Sequence, residues 1–185
     1  MIDQLGDSSM LYDLKGDASM SSTVGILYSA VRENHQRLQL ITDGMSQDEL
    51  EYKGPDSNFN STAQLINHIM YVDFNWIFRI KEQPLPTSLE KQYGPMLDVN
   101  NRLPKVKDMS LESLMCEYES VLTMVKDTCE QLTDPDLDRV VTFGRNNENQ
   151  ATIRWGLWHI ADHNRYHQAH INQLRKWYGE DLCEN

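Results

Sequence analysis

Cysteine is scarce. The chain has three in 185 residues, Cys116, Cys129 and Cys183, an odd count with no C-x-x-C pair. They read as free thiols in a reducing cytoplasm rather than as a disulfide framework. Positive charge is also short: 17 Lys and Arg stand against 28 Asp and Glu, for a formal net charge of -11. Binding a nucleic-acid backbone or an anionic membrane needs clustered Lys and Arg, so neither is expected, and the acidity reads as solubility. No apolar run approaches the roughly 20 residues of a membrane span. The first residues, MIDQLGDSSM, lack a basic segment followed by an apolar stretch, so no export signal is expected. There is no internal repeat and no low-complexity tract. The length suits one domain with a sizeable core.

Histidine, by contrast, is concentrated. Four of the six fall within WGLWHIADHNRYHQAHINQLRKWYG, residues 155–179, as His159, His163, His167 and His170. Spacings of four, four and three place them on one helix face. Leu157, Ile160, Ile171 and Leu174 flank that face, so the imidazoles point towards a core and need hydrogen bonds or a metal. His159 and His170 are about 16 Å apart along the axis, so all four cannot share one ion. One adjacent pair is the expected metal-binding unit, and the remaining histidines are packed or solvated.

The rest of the pattern predicts helices. One begins at Ser21 or Ser22, carries a stripe of Leu27, Val31, Asn34, Leu38 and Ile41, and ends at Gly44. On that stripe Asn34 is the polar interruption, and His35 falls one residue off it and reads as solvated. Met45–Asn60 reads mostly as loop, with a short helical turn at Ser46–Glu49. Ser61, with Gln64 three residues on, opens a second helix to about Lys81 that is apolar nearly all round and therefore buried on several sides. His68 lies within it, with Val72 and Asn75 on its face. Alone it would read as a core histidine; opposite a histidine pair it becomes a third ligand. A link from Gln83 to Met109 holds four prolines and one short helix, Leu89–Tyr93. Ser110 caps a third long helix to about Leu132, whose stripe includes Tyr118. Asp134-Pro135 breaks it, Asp138–Phe143 reads as extended, and the fourth helix runs from near Thr152 to Gly179. The expected fold is all-α: a loose arm over residues 1–19, then a four-helix bundle over 20–180 with a long loop between helices two and three.

Two motifs then resemble the DinB/YfiT-like superfamily of small metal-binding four-helix proteins. The first is a histidine early in helix two followed by an aromatic, LINHIMYVDFNW, with His68 and Trp76. The second is the helix-four pattern from His159 through His163 and His167 to Ile171. The resemblance implies His68, His163 and His167 as metal ligands and His159 as a non-ligand. It departs after His167: Gln168-Ala169-His170 stands where the family has Arg-Gly-Gln, placing an extra imidazole, His170, near the site. The resemblance also implies a homodimer.

Three neutral imidazoles leave positions open for water or substrate. Zinc and nickel head the list of ions, and manganese and iron also accept this ligand set. Relatives that use bacillithiol or mycothiol imply a metal-dependent S-transferase in which a low-molecular-weight thiol attacks a small electrophile. The second reading is a metal-dependent hydrolase, which wants a carboxylate base near the ion. Asp73 and Asp162 are nearest in sequence but off the ligand face. The third is a non-catalytic bundle whose ion staples two helices. Asn34, Asn75 and Tyr118 are the expected pocket-lining residues, and His159 and His170 the expected neighbours of the ligands; no residue is assigned as catalytic.

Overall fold

The computed structural model describes residues 11–106, 108–144 and 146–184; residues 1–10 of the expected arm lie outside the described residues. The chain is mostly helical. It runs α1 (Ser22–Thr42), α2 (Gln47–Glu51), α3 (Thr62–Ile80), α4 (Thr87–Tyr93), α5 (Leu111–Glu130), a 3-10 turn (Asp134–Asp138), β1 (Val140–Phe143), β2 (Asn149–Thr152) and α6 (Ile153–Glu184). The four long helices close a ring: α1 packs on α5 and α6, and α3 packs on the same two.

The apolar character of α3 has a direct cause. Its inner faces meet α5 and α6, and its outer faces are covered by α2, α4 and β1. Ile66, Ile69, Met70, Trp76 and Ile77 are all buried. Its start is fixed by the Ser61–Gln64 capping box. Where α3 meets α6, Gly156 makes the close approach possible: a Cβ there would lie 2.7 Å from Cε3 of Trp76. The amino end of α1 is capped from far along the chain. The Asp134 carboxylate accepts from the backbone N–H groups of Thr23 (3.0 Å) and Val24 (3.2 Å), placing negative charge at the positive end of the helix.

The sequence pattern misplaces three details. His35 is buried, not solvated: it packs edge-on to Tyr118 with ring centroids 4.7 Å apart. Helix α1 faces two neighbours, α5 and α6, so its buried stripe is wider than one row of positions. Gly179 does not end the last helix. It is exposed and α6 continues through it to Glu184. The extended stretch after Asp138 is half of a hairpin, with Val140 paired to Thr152 and Phe143 to Asn149. Asn149-Gln150 carries little strand signal, so the second strand is not legible from composition.

Candidate metal centre

Helix α3 contributes His68, and α6 contributes His163 and His167. These three residues each offer a ring nitrogen, and the three atoms lie within 4.8 Å of one another. The rings form a near-equilateral triangle: centroids are 5.1 Å apart for His68–His163, 5.0 Å for His68–His167 and 4.4 Å for His163–His167. Between His163 and His167, one turn apart, the Nε2 atoms stand 3.0 Å from each other. Four-coordinate zinc with Zn–N bonds of about 2.0–2.1 Å sets its nitrogens roughly 3.3 Å apart. The pair already stands within a few tenths of an ångström of that spacing.

The chemistry of the donors fits a divalent cation. Burial, and after it the neighbouring imidazoles, holds His163 down to about 2 and His167 to about 3; burial alone holds His68 to about 4. All three are therefore neutral near pH 7 and keep a lone pair to donate. Their hydrogen bonding is thin. The single Nε2···Nε2 contact joins two of the three rings, His68 has no partner among the described residues, and buried Nδ1 atoms of His163 and His167 have none either. A buried polar group without a partner is costly, and one ion would engage three lone pairs at once.

The other singled-out residues surround this triangle without joining it. His159 stacks on Trp155, 4.7 Å between centroids and 8° between planes, and lies edge-on to Trp76. His170 is exposed, edge-on to Tyr166 at 4.5 Å and 5.6 Å from the His167 centroid. Asn34 is spent on joining helices: its Nδ2 donates to the Ala161 carbonyl (2.8 Å), and its own carbonyl accepts from Gln168 Nε2 (2.7 Å). Asn75 donates to the Tyr71 carbonyl and lines a cleft on the β1 side of α3. Tyr118 is wholly buried, and its hydroxyl donates to Asn164 Oδ1 at 2.6 Å.

Asn164 was not singled out from the sequence, although it follows His163 directly. It is fully buried, with Nδ2 donating to the Ile160 carbonyl and lying 3.4 Å from Asp73 Oδ2. Tyr118, one proton committed to Asn164, also lies 3.3 Å from Asp73 Oδ2. Burial pushes the Asp73 carboxyl well above its usual range. Asp73 is thus engaged in a network of its own, not presented to the histidines as a base. The signal for Asn164 was its place in the motif: a helix turns 100° per residue, so the position after a ligand faces a different neighbour.

A sequence profile of the DinB superfamily matches residues 30–171. This chain belongs to that superfamily. It is also 45% identical over 173 residues to the uncharacterized protein YkkA of Bacillus subtilis (strain 168), an alignment covering 93% of this chain and 97% of that one. The matched span contains all three histidines of the triangle. Among the described residues, no helix is long and apolar enough to cross a membrane.

Proposed function

We propose that the four long helices form the DinB-type bundle, that His68, His163 and His167 hold one divalent ion, zinc or nickel first, and that the protein is an S-transferase using a bacillithiol-type thiol on small electrophiles. The observation that carries the metal reading is the converging triangle of neutral imidazoles with almost no hydrogen bonds of its own. A divalent ion on three imidazoles supplies an open position and lowers the pKa of a thiol or water that enters it. The chain's residues supply the rest. Burial keeps the three rings unprotonated and able to bind. His159, itself stacked on Trp155, packs beside His163 with ring centroids 5.6 Å apart. In the transfer the thiol sulfur bonds to the electrophilic carbon, the leaving group departs with its electron pair, and the thiol proton passes to solvent.

Thiol chemistry is favoured over hydrolysis because Asp73, a carboxylate considered for the base, is engaged by Tyr118 and Asn164. A thiol of low pKa needs no such base. Free cysteines and the acidic surface suit a cytoplasmic protein, and a homodimer is the expected assembly. The test is calorimetry with a low-molecular-weight thiol on metal-loaded and chelated protein, followed by transfer to a haloaromatic. Binding that vanishes on chelation, with transfer needing both thiol and metal, supports the reading. Ester cleavage without thiol would replace it with the hydrolase, and a metal that binds no thiol would leave only a structural role.

A further inference from the structure

A cleft of about 510 Å³ lies away from the histidines. It runs between the C-terminal half of α3 and strand β1, with Asn75, Phe78, Arg79, Glu82, Leu85 and Thr142 among its lining. Arg79 is its distinctive member. The guanidinium carbon sits 5.4 Å from the centre of a Trp76 ring, a cation–π contact. Among the described residues no carboxylate or carbonyl pairs with it. Arg37 and Arg165 also lack a partner, but both are exposed to water, whereas Arg79 is half-buried. Removal from water disfavours its charge and lowers its pKa. The one acidic residue lining the cleft, Glu82, already has a cation, Arg139, at 3.7 Å.

We propose that this cleft binds a small organic or inorganic anion, a carboxylate or a phosphate group, gripped by the guanidinium of Arg79. The arginine fork matches either group with two parallel hydrogen bonds, and the desolvated setting strengthens them. The exposed Thr142 lines the same cleft and adds a hydroxyl donor. The Trp76 rings beneath Arg79 also meet the ring of His159, 5.6 Å away, and His159 stands one turn before His163. Arg79 itself stands eleven residues beyond His68 on α3, about 16 Å along the helix, so the anion site and the histidine triangle are separate sites. This inference stands on the cleft and its unpaired cation and is independent of which reaction the triangle serves.

Titration of metal-loaded protein with malonate and, separately, inorganic phosphate tests it, read by calorimetry and by fluorescence of the tryptophans. Saturable binding of about one anion per chain is expected, with the tighter of the two probes naming the group. Arg79→Gln should weaken it at least tenfold while metal content and helical circular dichroism stay unchanged, and Lys176→Gln, remote and exposed, should leave it intact. Should the glutamine variant fail to fold, Arg79→Lys keeps the charge but loses the fork and should weaken binding several-fold. Absence of saturable binding by the wild type, or wild-type affinity in a folded Arg79 variant, would overturn the proposal. Anion binding that persists after chelation of the metal supports a site separate from the triangle, whatever becomes of the thiol reading.

Discussion

Two buried polar clusters lie side by side on the same pair of helices. His163 belongs to one and Asn164, the next residue, to the other; on α3 the corresponding members are His68 and Asp73. The Asp73–Asn164–Tyr118 cluster closes on itself. Each side chain finds a partner, and three helices, α3, α6 and α5, are tied together. The histidine cluster does not close. One contact joins two of the three rings, and two buried nitrogens are left over. A polar cluster that satisfies itself specifies packing, whereas one whose lone pairs converge could hold a metal ion, the role proposed for it above.

The largest effect should come from emptying the open cluster. His163→Ala/His167→Ala should fall from about one ion per chain to almost none by elemental analysis, while His35→Ala keeps the full complement. The fold should survive in the double variant, since no satisfied hydrogen-bond network is broken. Full occupancy in that variant would dissolve the distinction between the clusters.

Breaking the closed cluster should give the reverse result. Asn164→Leu keeps the bulk but leaves Asp73 and Tyr118 without their shared partner. Urea melts should show a loss of about 2–4 kcal/mol, with metal content of the remaining folded protein unchanged. A loss inside about 0.5 kcal/mol would mean the network contributes no specificity to the packing.

The two clusters should also answer pH with opposite signs. The histidines have folded-state pKa values held below the ordinary 6.5 by burial. Below that value the unfolded chain takes up protons that the metal-free fold refuses. Stability is therefore complete above about pH 6.5 and falls as pH drops towards the folded values, by up to about 1.4 kcal/mol per pH unit for each ring. Asp73 is raised above its ordinary 3.8, so its contribution is complete below that value and is lost as pH rises through its folded pKa. Melts of the chelated protein across this range should lose most of the acid-side slope in His163→Ala/His167→Ala. Asp73→Asn should instead flatten the loss on the rising side. A variant of either cluster that altered the other's limb would show the two to be one coupled system.

How much of this the sequence carried follows from the range of the interactions. Helical spacing offered an adjacent histidine pair on the last long helix and His68 as a third member opposite it, and the choice of His163 and His167 as that pair came from the family resemblance. The Ser61–Gln64 cap was legible because it is local. Asn164 was hidden because its partners, Asp73 and Tyr118, lie 91 and 46 positions away. The Asp134 cap on α1 is hidden for the same reason, at 111 positions from Thr23. Arg79 looks like an ordinary positive residue in the last turn of a helix, and only the cleft and the missing partner set it apart.

The smallest expected effect lies at the border of the open cluster. His159 is one turn before His163, as His163 is before His167, so spacing alone would admit it as a ligand. Its surroundings assign it elsewhere: the ring is held flat against Trp155 and edge-on to Trp76, between two aromatic surfaces rather than in the triangle. Phenylalanine reproduces that packing and removes both nitrogens. His159→Phe should therefore keep about one ion per chain and change stability by no more than about 0.5 kcal/mol. Adding metal to either protein should raise the melting temperature equally, because an ion that binds only the folded state stabilises it according to its affinity alone. A smaller metal-induced shift in His159→Phe would extend the open cluster by one turn and make His159 a ligand.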